Sequence, residues 1–226
     1  MPLSKCLCTI LLAFSFLFNR AHGLFLRREI RRQIIGYRTV SAQEADYINQ
    51  NNTPLRFKGF DQARQFENQL GSGLSLTQKP ALWPGSPSVE NWHCVVEADS
   101  DMFANARKVY IPGYYQKKIR PGKLEEVALW HGGEVAIEDY IKLSVQRHPG
   151  RALRFSYIEN MGWELQMVIP TDAVNGNDLA LWSKCFETKE ELLKYSSETI
   201  DWQKWHITGD LGSPSLETFV PWINDA

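Results

Sequence analysis

The sequence predicts an α+β fold in a single compact domain. Three observations carry this. Strand-period and helix-period segments are interspersed without regular strand–helix–strand alternation. The chain has 226 residues, the length of one domain with at most a small annex. Hydrophobic residues make up 43% and charged residues 23%, enough apolar material for one core and too little for several membrane spans.

The elements follow in order. Ile34 to Val40 is apolar and β-branched, a strand. Ser41-Ala42-Gln43-Glu44 has the spacing of a capping box and opens a helix to about Asn49. Thr53 to Glu67 is polar with no clear period. Gly71-Ser72-Gly73 is a turn before a short strand, Leu74 to Thr77, and the Pro- and Gly-punctuated stretch from Lys79 to Ser88 is a loop. Trp92 to Ala98 is a strand, Asp99 to Ala106 a short capped helix, and Val109 to Pro112 a strand. Tyr114 to Gly122 reads as a basic loop, Leu124 to His131 as a strand or helical turn, and Glu134 to Val145 as a helix. Leu153 to Glu159 and Glu164 to Ile169 pair across Asn160-Met161-Gly162. Asp178 to Phe186 and Lys189 to Tyr195 carry helical periodicity, and a tail from Gly209 wraps the surface.

The first 23 residues read as a secretory signal peptide. Lys5 precedes an apolar run from Cys6 to Phe18, too short to span a bilayer, and Ala21-His22-Gly23 offers small residues for cleavage. Residues 24–32 hold two dibasic pairs, Arg27-Arg28 and Arg31-Arg32, and read as a removable pro-segment. The domain proper is then 33–208, with 209–226 as the tail. Removing residues 1–32 takes away six basic residues and one acidic one, shifting the formal charge from −1 to about −6. No basic field remains to attract nucleic acid. Cys94 and Cys185 survive as an even pair in an oxidising compartment and predict one disulfide. No metal-ligand spacing is present, and no membrane anchor remains in the mature chain.

Candidate chemistry lies in three segments. Gly36-Tyr37-Arg38 places an arginine on the first strand, where a guanidinium can grip phosphate bidentately. Gly73-Leu74-Ser75-Leu76-Thr77 puts two hydroxyls on one strand face after a glycine that permits close backbone approach. Glu164-Leu165-Gln166 puts a carboxylate and an amide on one face. A carboxylate there can stabilise an oxocarbenium-like sugar. The eight tryptophans offer a second reading, a secreted binding or effector protein whose aromatic surface anchors a partner.

The order of strand arginine, Ser-x-Thr strand and Glu-x-Gln pair resembles the mono-ADP-ribosyltransferases of the cholera-toxin and heat-labile enterotoxin A type, including secreted fungal proteins of that kind. The resemblance implies a split sheet with helices around it, NAD as substrate without a metal, and a host macromolecule or water as ADP-ribose acceptor. On it, Arg38 holds the NAD phosphates, Gly73, Ser75 and Thr77 shape the nicotinamide–ribose pocket, and Glu164 is the first member of the family's Glu-x-Glu pair. Gln166 stands where the family's catalytic glutamate falls. Either Glu164 takes the role in a shifted register, or the acid lies elsewhere, or the domain binds without turnover.

Overall fold

In a computed structural model, residues 30–58 and 68–214 are described, and those from Arg32 onward belong to one compact unit. The segment read as a signal peptide, nearly all of the dibasic segment, residues 59–67 of the polar stretch and residues 215–226 of the tail lie outside the described residues.

The frame is a seven-stranded sheet of order β4-β7-β8-β2-β1-β3-β9. Its strands are β1 (Arg32–Ser41), β2 (Gly73–Thr77), β3 (Asn91–Asp99), β4 (Lys108–Tyr110), β7 (Leu153–Tyr157), β8 (Leu165–Pro170) and β9 (Trp182–Phe186). All neighbours are antiparallel except β4 and β7, so the sheet is mixed. A separate antiparallel hairpin, β5 (Tyr114–Arg120) and β6 (Lys123–Ala128), stands apart from it. Among the described residues, five α-helices accompany the strands: α1 (Ala42–Asn51), α2 (Ser100–Asn105), α3 (Gly133–Ile141), α4 (Thr171–Asn175) and α5 (Lys189–Tyr195).

Most elements follow the local sequence. Ser41 caps α1 by accepting from the Glu44 amide at 3.3 Å, but the Glu44 carboxylate turns to Arg38 instead of completing the box. The reciprocal box forms on α5, between Thr188 and Glu191. Asp99 caps α2 through the Asp101 and Met102 amides. Two expectations are corrected. The stretch read as a basic loop, Tyr114 to Gly122, is mostly strand β5, because its charged residues pair across the hairpin with β6, Lys117 opposite Glu125. The C-terminal half of Asp178–Phe186 is strand β9, not helix. It pairs with β3, and alternation buries Ser183 and Cys185 while leaving Lys184 exposed.

The disulfide joins Cys94 to Cys185, directly opposite each other on β3 and β9. Beside it, Val40, Ala45 and Ile48 form a small apolar cluster that seats α1. Asn49 of α1 also hydrogen-bonds both the amide and the carbonyl of Cys185, covering part of the edge of β9. The main core holds an aromatic group in which Phe155 packs edge-on against Trp202 and Trp205, and Phe103 against Trp205. The Trp202 indole donates to the Ile35 carbonyl at 3.0 Å, and buried Trp130 donates to Ser156 at 2.9 Å. These tryptophans serve packing, whereas Trp163 is 75% exposed. No described helix is long and apolar enough to cross a membrane.

Lys108 is buried, with its ammonium donating to the Phe103 and Ala106 carbonyls at 2.5 and 3.1 Å, where it closes the end of α2. Burial pushes its pKa down to about 8.

Two outcomes follow. Between about pH 8 and the ordinary lysine value near 10.4, the unfolded chain holds a proton that the folded chain has lost. Unfolding free energy therefore rises with pH across that window, and in denaturant melts the rise is smaller in K108M. Replacing both disulfide cysteines by alanine removes a cross-link spanning 91 residues. It costs on the order of 4 kcal/mol, read as a lowered urea midpoint.

Candidate functional site

β1 and β2 are neighbours in the sheet, yet a single residue pair, Tyr37 opposite Thr77, registers them. The contrast with β1 and β3, paired along nearly their whole length, is sharp. Gly36 allows the approach at this point, since a Cβ there would meet the Leu76 Cβ at 2.8 Å. The Thr77 hydroxyl lies 3.3 Å from the Tyr37 carbonyl and 3.0 Å from the Lys79 carbonyl, so it reinforces the junction. Tyr37 is fully buried, and its hydroxyl meets Ser196 at 2.7 Å and the Glu198 carbonyl at 2.9 Å. Burial, with the Glu198 charge, raises its pKa, so the phenol stays protonated at neutral pH.

A cavity of about 220 Å³ lies against this junction. β1 lines it with Tyr37, Arg38 and Thr39, and β2 with Gly73, Ser75 and Thr77. Three further residues, Arg56, Asn68 and Trp83, come from the flanking segments. Arg38, Arg56 and Trp83 are each positioned by an identifiable contact. The Arg38 guanidinium donates to Glu44 at 2.8 Å, with its side chain 12% exposed. The Arg56 backbone is clamped by Asn175 of α4, which accepts from its amide and donates to its carbonyl. Trp83 is fixed through its carbonyl, which accepts from the Thr39 hydroxyl at 2.6 Å. Two arginines, an exposed serine and an indole thus surround one concave space, a combination suited to an anion joined to a flat ring.

Four of the residues singled out in the sequence, Arg38, Gly73, Ser75 and Thr77, therefore share one cavity. Their parts differ. Gly73 is needed chiefly against β8, because a Cβ would run into the Ile169 carbonyl. Ser75 is the exposed hydroxyl, while the Thr77 hydroxyl is engaged by carbonyls. Glu164 and Gln166 are not among the lining residues. Gln166 is buried opposite Thr77 on β8 and donates to Gln69 at 2.6 Å. Glu164 forms an ion pair with Lys79, beyond the Thr77–Gln166 pair and away from Ser75 and Gly73. Arg56, Asn68 and Trp83 carried no local signal, since they sit in polar or Pro-rich sequence and only the fold gathers them.

The start of β2 is held by a buried charge. Arg154 of β7 has a fully buried side chain and donates to both carboxylate oxygens of Glu134 on α3 and to the Leu70 carbonyl at 2.8 Å. Glu134 in turn accepts from the Ser72 amide at 3.1 Å. The turn that carries Gly71, Ser72 and Gly73 into the cavity wall is thus tied to both α3 and β7. E134A leaves the Arg154 guanidinium buried beside a missing partner, and a loss of about 3–5 kcal/mol is expected in urea unfolding. E134Q, which keeps an acceptor, loses less.

Among the described residues, no group of three His, Cys, Asp or Glu side chains is placed to hold a metal ion. No curated protein and no solved structure matches the chain. A family of unknown function, DUF5910, matches residues 68–210, which carry β2 to β9 and leave β1 with Arg38 outside the matched stretch. That match covers well over half of the chain, so the protein belongs to this family.

Proposed function

We propose that the cavity beside the β1–β2 junction binds NAD or its ADP-ribose portion, on a split sheet of the ADP-ribosyltransferase kind, in a secreted effector-like protein. One observation carries this reading: Arg38, Ser75, Thr77 and Gly73, chosen from sequence order alone, line a single cavity where two adjacent strands share one registered pair. Arg38 and Arg56 supply charge-assisted donors for phosphate, Ser75 a hydroxyl for the ribose, and Trp83 a face for an aromatic ring. The cavity is smaller than a whole dinucleotide, so it takes the phosphate-bearing half while the remainder lies along its mouth.

Binding without transfer is favoured over turnover. Transfer needs a carboxylate facing the ribose, whereas Gln166 is neutral and tied to Gln69, and Glu164 is paired with Lys79 outside the cavity lining. The disulfide and the leader-like N-terminus agree with an extracellular site of action, with a host macromolecule as the partner.

Calorimetry with NAD and ADP-ribose tests this, with free nicotinamide measured in parallel. The expected result is saturable binding of both ligands and no nicotinamide release. R38A and R56A should each weaken binding roughly tenfold or more, the cost of a charge-assisted hydrogen bond. Nicotinamide release abolished by E164A would replace this reading with a transferase. Absence of binding by either ligand would overturn it.

A further inference from the structure

The β5–β6 hairpin has a use that the cavity does not account for. A two-stranded ribbon is marginal in water without support. Here the support is confined to its base and one side. Tyr115 packs edge-on against Tyr140 of α3 with ring centres 5.1 Å apart, and Lys117 reaches Asp139 at 3.5 Å. Among the described residues, the far end has no such contact. A Cβ on Gly122, which turns the chain at φ +77°, would meet nothing within 4 Å. The end therefore projects from the body.

Its composition is unusual for a chain that is otherwise acidic once the leader is removed. From 118 to 124 it carries Lys118, Arg120 and Lys123 and no carboxylate. No ion pair among the described residues engages any of these three cations. Beside them, Ile119 is 49% and Leu124 60% exposed, although β-branched and leucine side chains are ordinarily buried. Ile119 sits at the register shift between Lys118 and Arg120, which takes it out of the ladder. Two apolar side chains ringed by three cations at a projecting turn suit a surface that is anionic outside and apolar beneath.

We propose that this hairpin tip docks on an anionic phospholipid surface, with Lys118, Arg120 and Lys123 on the headgroups and Ile119 and Leu124 entering the acyl boundary. A folded acidic protein is the poorer fit. A narrow convex turn offers far less than the roughly 800 Å² per partner that a stable protein interface buries, whereas a membrane needs only the tip. The contact is peripheral and needs no spanning segment.

The test is vesicle co-sedimentation of the full chain on phosphatidylcholine vesicles with and without 30% phosphatidylserine. Wild type is compared with K118Q/R120Q/K123Q and with I119S/L124S, so that the N-terminal apolar run is common to all three. All five positions are exposed, and equal thermal melts confirm folding. On phosphatidylserine vesicles the triple variant should bind about a hundredfold more weakly, from roughly fivefold per cation. The apolar variant should bind at least tenfold more weakly. High salt should erase most of the difference between wild type and the triple variant. Equal binding by wild type and the triple variant overturns the proposal, as does undiminished binding by I119S/L124S. Retention on an acidic polypeptide resin through the same cations, without vesicle binding, also overturns it and assigns the tip to a protein partner.

Discussion

One residue pair, Tyr37 opposite Thr77, keeps the seven-stranded sheet continuous across its middle. On one side lie β1, β3 and β9, stapled by Cys94–Cys185; on the other lie β2, β8, β7 and β4. So short a junction has little backbone pairing of its own and depends on side chains. The Thr77 hydroxyl spans it, the Tyr37 hydroxyl anchors it to residues 196–198, and Gly36 leaves room for Leu76. The cavity exists because adjacent strands that do not pair along their length leave polar backbone and side chains facing a common space.

The pair between buried Arg154 and half-buried Glu134 matters for the same reason. A buried ion pair adds little net stability over an apolar replacement, because desolvation offsets most of the attraction. What it supplies here is position. Its oxygens and nitrogens also hold the Ser72 amide and the Leu70 carbonyl, so the entry to β2 has one fixed path. Gln69 does similar work one turn earlier. It accepts from Gln166 and the Glu159 amide while donating to the Tyr157 carbonyl. Gln166 thereby serves as part of the wall's support, and an amide suits that role because it donates where a carboxylate would repel the Gln69 oxygen.

Much of the frame was legible in the sequence where a local rule had no competitor. β1 showed its β-branched run, β7 and β8 their pairing across Asn160-Met161-Gly162, and α2 its capped start. β9 was hidden because Trp182 to Phe186 is too short to separate strand from helix by period, and its pairing with β3 decides the matter. β5 was hidden because a lysine-rich strand exposed from Gln116 onward lacks an apolar face there and is held by cross-strand pairing. The site divides in the same way. Arg38, Ser75 and Thr77 sat on strands that local sequence made legible. Arg56 and Trp83 reach the cavity through the Asn175 clamp and the Thr39 hydroxyl, neither of which local sequence encodes.

The central claim is that the parted strands form a ligand cleft. Amide hydrogen exchange with and without saturating ADP-ribose tests it most directly, because it reports where a ligand sits irrespective of turnover. The account predicts added protection concentrated at residues 37–39 and 73–77, with the β4–β7 and β3–β9 ladders unchanged. Protection confined to other segments, or none at any ligand concentration, would contradict it.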